Sequence, residues 1–165
     1  MSIRVFLADD HMMVREGLKQ LLELNNEIEV IGEAGDGYEC LNLVNKTNPD
    51  VVLLDINMPN LDGLKVLQIM REQKMQNKVI FLTIHKEVDY LVQAMDYGCD
   101  GYILKDSDFA TLVEAIETVY EGKTYIEPSL TNLLNANLAE RDVMQDKINE
   151  LWTPPIRSTR CTSVS

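Results

Sequence analysis

The chain has 165 residues, 45% of them hydrophobic, which is enough for one packed domain of ordinary size with some length to spare. A formal net charge of −12 excludes a general nucleic-acid or anionic-membrane surface, which needs clustered Lys and Arg, and suits a chain that carries a cation or meets a basic partner. The first apolar run is too short for a signal peptide or membrane helix, and Cys40, Cys99 and Cys161 show no metal-ligand spacing, so a cytoplasmic protein with reduced thiols and no membrane partner is expected.

Arg4–Ala8 reads as a short strand that stops at Asp9-Asp10. From Met12 the spacing turns helical, with Val14, Leu18, Leu21, Leu22 and Leu24 able to share a face, and Asp10 or the turn after it as the cap. Glu29–Glu33 is a second strand, Gly35-Asp36-Gly37 a turn, and Leu41 and Val44 belong to a second helix ended by Thr47-Asn48-Pro49. Val51-Val52-Leu53-Leu54 is uniformly apolar and half β-branched, the pattern of a parallel strand buried on both faces. Asp55 follows without a break, then Pro59 and Gly63 mark an irregular turn before a helix with Leu64, Leu67, Ile69 and Met70. Lys78–Thr83 is a fourth strand, and Val88, Leu91, Val92 and Met95 form a fourth helix closed by Tyr97-Gly98. Gly101–Lys105 is a fifth strand; Ser107 or Asp108 caps a fifth helix carrying Leu112, Val113, Ile116 and Val119, and Gly122 ends it.

Strands alternating with helices predict an α/β fold: a five-stranded parallel sheet, flavodoxin-like in order 2-1-3-4-5, flanked by five helices. The switch point of that order lies between strands one and three, where open sheets bind ligands. Those two strands both end in aspartate. Asp9, Asp10, Asp55, Thr83 and Lys105 therefore share one edge of the sheet. A like-charged carboxylate pair at ~4 Å costs about 4 kcal/mol at an effective dielectric near 20, so positive charge must sit among them. Lys105 supplies one charge and a hard divalent cation two; oxygen donors without a His/Cys set favour Mg2+ over zinc. A carboxylate beside Mg2+, a lysine and a hydroxyl is a plausible phosphoryl acceptor, with Asp55 as nucleophile and Thr83 and Lys105 on the transferring group. Each residue also has an ordinary reading: Asp9-Asp10 or Asp55 as turn or helix caps, Thr83 as a satisfied strand end, Lys105 as a surface charge.

Taken together, Asp9-Asp10, Asp55 within Leu-Leu-Asp-Ile-Asn-Met-Pro-Asn-Leu-Asp-Gly, Thr83, and Lys105 within Gly-Tyr-Ile-Leu-Lys-Asp resemble a response-regulator receiver domain over roughly residues 3–122. The resemblance implies a CheY-like fold, phosphorylation of Asp55 by the phosphohistidine of a sensor histidine kinase, and slow self-dephosphorylation rather than conventional enzymatic turnover. It implies Mg2+ held by Asp9, Asp10, Asp55 and the backbone carbonyl of Asn57, with Thr83 and Lys105 on the phosphoryl group. Tyr102 becomes the aromatic that turns inward with Thr83 on activation, and Asn57 and His85 the positions that tune dephosphorylation. Gly-Tyr-Ile-Leu-Lys-Asp and Glu-Gly-Lys-Thr-Tyr-Ile-Glu-Pro are similar to the NarL/FixJ (LuxR-type) transcription regulators, in which a second copy of the chain is a further partner. Many receivers have proline after the lysine; here Asp106 stands there.

A receiver at 1–127 is followed by a helical linker at 128–151, with Leu130, Leu133, Leu134 and Leu138 and then Val143, Met144, Ile148 and Leu151. Relatives of that subfamily lead on into a helix-turn-helix domain. This chain instead carries Trp152-Thr153-Pro154-Pro155 and a Ser/Thr-rich end, so residues 152–165 read as a disordered tail and DNA would be reached only through an effector domain missing from the sequence. Two other readings fit parts of this pattern. A haloacid-dehalogenase-like phosphatase also uses a strand-end aspartate with Mg2+, but it needs an acid two residues on, where Asn57 stands. A receiver fold that is never phosphorylated and serves as an interaction module is opposed by the complete residue set.

Overall fold

The computed structural model describes residues 2–132 and residue 135. The elements run β1 (Ile3–Ala8), α1 (Met12–Glu23), β2 (Ile28–Ala34), α2 (Gly37–Thr47), β3 (Val51–Leu54), α3 (Gly63–Glu72), β4 (Lys78–Thr83), α4 (Val88–Asp96), β5 (Gly101–Leu104), α5 (Phe109–Tyr120) and β6 (Tyr125–Ile126). Residues 128–132 are helical and start a sixth helix. The sheet is wholly parallel in order 2-1-3-4-5-6.

The expected order 2-1-3-4-5 is present, but five strands and five helices understate the fold. Tyr125 and Ile126 pair with Gly101 and Tyr102, covering the edge that β5 would otherwise leave open. Two residues carry too little alternation to be read as a strand from sequence; the open edge of β5 makes them one. Glu127 then closes the segment, its N–H donating to the Tyr102 carbonyl at 2.8 Å, and Leu130 is buried in the core. Beyond these, the expected linker and tail lie outside the described residues.

β3 shows why the sheet is central. Val52 and Leu54 face one core with Phe6, Phe81, Leu67 and Leu91, whereas Val51 and Leu53 face the other with Leu7, Ile80, Leu22 and Ile116. All four are buried, as a continuous apolar run predicts for a strand covered on both faces. Helices α2, α3 and α4 cover the first face and α1 and α5 the second. Local chemistry sets the helix ends. Asp36, Asp62 and Asp108 each accept a backbone N–H of the first turn, and Asn48, left-handed at φ 48°, ends α2. Of the two caps expected for α1, Asp10 or the turn after it, the turn supplies it: His11 is the cap residue, and no side chain caps the helix. On α4 the buried positions are Leu91 and Ala94, while Met95 is exposed.

Arg71 ties three connections together. Its guanidinium donates to the carbonyls of Gly98, Met75 and Asn77 and pairs with Asp100 at 3.0 Å, while Asp100 also accepts the Val79 N–H. Arg71→Ala strands these acceptors together, and the expected loss is about 2–3 kcal/mol in urea denaturation, the scale for hydrogen bonds to a charged donor.

Candidate functional site

Register brings the chemistry together. Ala8 pairs with Leu54 and Thr83 with Leu104, so Asp9, Asp55 and Lys105 follow the strands at the same edge. The backbone continues the ladder: Asp55 N–H donates to Ala8 at 2.9 Å, Asp9 N–H to Ala34 at 3.1 Å, and Lys105 N–H to Thr83 at 2.8 Å. Lys105 Nζ then lies 2.7 Å from Asp9 Oδ2 and 3.1 Å from Asp55 Oδ2. Both carboxylates are buried.

Charges held this closely out of water shift one another. Burial raises the Asp55 pKa above its ordinary value; Lys105 pulls it down and Asp9 pushes it up, and the balance is upward. Burial by itself would lower the Lys105 pKa, but its bonds to Asp9 and Asp55 outweigh that and hold it raised and charged. Asp10, more open to solvent, stands at the rim. Asp9, Asp10, His11 and Asp55 each offer a ligand atom, and these atoms all lie within 4.8 Å of one another. Three carboxylates facing a single ammonium are short of positive charge, and oxygen donors around an open rim fit Mg2+. The donor set is therefore consistent with a divalent cation held by Asp9, Asp10 and Asp55.

The remaining expected residues lie around this cluster in different ways. Asn57 N–H donates to Asp55 Oδ1 at 3.3 Å, with its side chain outward on the loop. Thr83 ends β4 beside β3, fully buried, its hydroxyl accepting the His85 N–H at 3.2 Å. Tyr102 is also fully buried, its hydroxyl donating to the His85 carbonyl at 2.9 Å and its ring 6.2 Å from Phe81. The inward position is thus already filled in this structure. His85 itself stacks on Tyr90 at 4.1 Å and places Nδ1 3.4 Å from Glu87.

Some supports had no signal in the sequence. Arg15 donates to the Asp9 carbonyl and pairs with Glu33 at 2.9 Å, bracing the loop after β1. Gly63 packs its α-carbon against the Asp55 backbone, where an added Cβ would sit 2.2 Å from the Asp55 carbonyl oxygen. The sequence marked Gly63 as a turn; its fit against Asp55 is a contact across the loop. Burial pushes the Cys40 and Cys99 thiols up to about 12, away from the range of a reactive thiolate.

Comparison with known proteins then decides the family. Residues 5–117 match the response regulator receiver domain. The chain belongs to the response-regulator receiver family. The receiver is 38% identical over 133 residues to the transcriptional regulatory protein DegU of Brevibacillus brevis, covering 81% of this chain and 56% of that protein. It is 34% identical over 148 residues to the nitrate/nitrite response regulator NarL of Escherichia coli K12, covering 89% of this chain and 68% of that one. The chain thus spans little more than half to two thirds of the length of these curated relatives. Among solved structures, a LuxR-family two-component response regulator from Aurantimonas sp. SI85-9A1 superposes with a TM-score of 0.80 at 30% identity, over 84% of this chain and 99% of that one. The signal receiver domain of NarL from Mycobacterium tuberculosis does so at 0.72 and 36%, over 74% and 98%. The receiver is therefore of the LuxR-type two-component class, and neither the phosphatase nor the unphosphorylated module is favoured. Among the described residues, no helix is long and apolar enough to cross a membrane.

Proposed function

We propose that this receiver, spanning residues 1–127, is a phosphorylation switch in which Asp55 accepts a phosphoryl group from the phosphohistidine of a sensor histidine kinase. The observation that carries the reading is the buried bridge from Lys105 Nζ to both Asp9 and Asp55. An Asp55 carboxylate oxygen attacks phosphorus as the P–N bond to the donor imidazole breaks, and the imidazole leaves with the bonding pair and takes up a proton. Lys105 would neutralise the arriving oxygens, and Thr83 would exchange its His85 contact for a phosphoryl oxygen. Asp9, Asp10, Asp55 and the Asn57 carbonyl would hold Mg2+, which when bound offsets the charge of the transferring group.

Thr83 and Tyr102 meet at one short segment, through the N–H and the carbonyl of His85, so a pull on Thr83 is passed to the loop before α4. Moving a two-state face from 1:99 to 99:1 takes about 5.5 kcal/mol, within reach of new charge-assisted bonds from Thr83 and Lys105. Asn57 and His85 tune the loss of the phosphoryl group. The partners are the kinase and a second copy of the chain, in the cytoplasm. Control of transcription belongs to a parent protein that carries a DNA-binding effector domain.

Intact mass after incubation with acetyl phosphate tests this. Wild type is expected to gain one phosphoryl group in Mg2+ and none in chelator, and Asp55→Asn none in either. A folded wild type that gains nothing would overturn the switch.

A further inference from the structure

The chain leaves the sheet at Glu127, and the side chain there holds both flanks of Lys105. Glu127 N–H donates to the Tyr102 carbonyl at 2.8 Å, a main-chain rung beside β5. The next rung of a parallel ladder would carry the Leu104 N–H to the Glu127 carbonyl. That carbonyl is taken: it accepts the N–H groups of Leu130 and Thr131 at 2.9 and 3.1 Å, which begins the helix at 128–132. The Glu127 carboxylate stands in for it, with Oε1 accepting the Leu104 N–H at 3.3 Å. The same oxygen accepts the Ser107 hydroxyl. Ser107 N–H in turn donates to the Leu104 carbonyl at 3.1 Å, so Lys105 and Asp106 are the middle of a closed turn whose two ends both meet Glu127. Leu130, on the first turn of the helix, is buried in the same apolar cluster as Tyr102 and Leu104.

We propose that Glu127 is a positioning residue for Lys105 and the joint that ties the phosphorylation site to the helix at 128–132; the inference rests on the switch reading above. Lys105 Nζ bridges Asp9 and Asp55, and the turn that carries the residue sets its reach. A lysine stem is flexible, so its backbone must be fixed for the ammonium to keep one place. The Glu127 carboxylate fixes it with charge-assisted bonds, stronger than the carbonyl bond it stands in for. Because the same residue supplies the carbonyl that begins the helix, turn and helix do not shift independently. Phosphoryl uptake gives Lys105 a more highly charged partner and holds the turn more firmly, and the helix is held with it. Such coupling is reciprocal, so loosening the joint also loosens the site.

The test follows uptake from acetyl phosphate in Mg2+ by intact mass against time, and amide hydrogen exchange at Leu130 and Thr131 with and without the donor in excess. It uses the full chain as wild type, Glu127→Ala, Glu127→Gln and Ser107→Ala. In wild type, phosphorylation is expected to slow exchange at both amides by about fivefold or more, the low end of ordinary coupling. Glu127→Ala should lose that response. Its uptake at saturating acetyl phosphate should fall about tenfold, short of the ~100-fold that a displacement near 1 Å costs, with the half-saturating concentration unchanged. Glu127→Gln keeps an acceptor oxygen and should restore both readouts, which a general loss of packing would not allow. Ser107→Ala leaves Glu127 and the helix in place and should slow uptake by a smaller factor; it carries the test if Glu127→Ala does not fold. Wild-type uptake without slower exchange at Leu130 and Thr131 would overturn the Glu127 assignment and leave the switch standing. So would wild-type rates in Glu127→Ala, or in Ser107→Ala where Glu127→Ala does not fold, and so would a Glu127→Gln as slow as Glu127→Ala. No uptake by folded wild type would remove the switch reading itself, and this inference with it.

Discussion

Lys105→Met is expected to lower the stability of the receiver by about 3 kcal/mol in chelator near neutral pH, and Mg2+ is expected to restore part of the loss. The cost comes from what is left behind. Lys105 Nζ is shared between Asp9 and Asp55 at 2.7 and 3.1 Å, and removing it leaves two buried carboxylates facing each other. Stripping one partner from a buried pair costs roughly 3–5 kcal/mol, and the low end applies because Lys105 keeps 19% of its side-chain surface exposed and water reaches the cluster. A divalent cation binding only the folded chain adds stability by mass action and replaces the missing charge.

The pH dependence has a definite sign. Asp55 is raised above its ordinary 3.8 in the fold, so the folded state binds its proton more tightly than the unfolded chain does. Stability therefore falls as pH rises from about 3.8 through the folded value, and at neutral pH Asp55 is a cost to the fold. Lys105 is raised above 10.5, so its contribution is complete below that value and is lost as pH climbs through the folded one. Without Lys105, Asp55 moves up further and is relieved by protonation over a wider range. The gap between wild type and Lys105→Met should be widest near neutrality, and urea midpoints at ~pH 5 should bring the two closer. A gap that does not change between these conditions would mean that lost packing, not charge, sets the cost.

Gly63→Ala is expected to damage both stability and phosphoryl uptake. Helix propensity alone predicts the opposite, since Gly63 opens α3 and Ala is favoured over Gly in helices by about 1 kcal/mol. Sterics decide the sign. The new Cβ would lie 2.2 Å from the Asp55 carbonyl oxygen and 3.0 Å from both the Asp55 carbonyl carbon and the Ile56 α-carbon. All three are backbone atoms, so no rotamer relieves the clash, and Gly63 N–H is bonded to the Ile56 carbonyl at 2.8 Å. The loop after β3 must move, at about 3 kcal/mol in stability. Because that loop begins at Asp55, phosphoryl uptake from acetyl phosphate should also slow, by up to ~100-fold for a displacement near 1 Å. Gly17→Ala is the control: nothing lies within 4 Å of its Cβ, and a gain of about 1 kcal/mol is expected in the same urea experiment.

Much of the site was legible because its residues end strands. Val51–Leu54 is apolar at every position, so the first polar group after it, Asp55, had to fall at the sheet edge, and the same holds for Asp9 after Ala8 and Lys105 after Leu104. Alternation of strands with helices then left few connections, and the order 2-1-3-4-5 followed. These are consequences of local pattern, in which burial or exposure of a residue is set by its near neighbours in sequence.

The tertiary structure alone decided contacts made across the fold. A two-residue β6 exists because β5 offers an edge, and Tyr125-Ile126 in isolation would not be a strand. Lys105 bridges carboxylates from two other strands because parallel register sets all three at one level. Gly63 against Asp55, Arg15 against the Asp9 carbonyl and His11 over the carboxylates depend on how loops return over the edge, which no periodicity encodes. The family resemblance implies a Tyr102 that turns inward, and packing against Phe81 and the His85 carbonyl shows where its ring lies. The sequence alone determined which residues reach the edge of the sheet. Which of them touch was decided by sheet register and side-chain packing, because those distances join residues far apart in the chain.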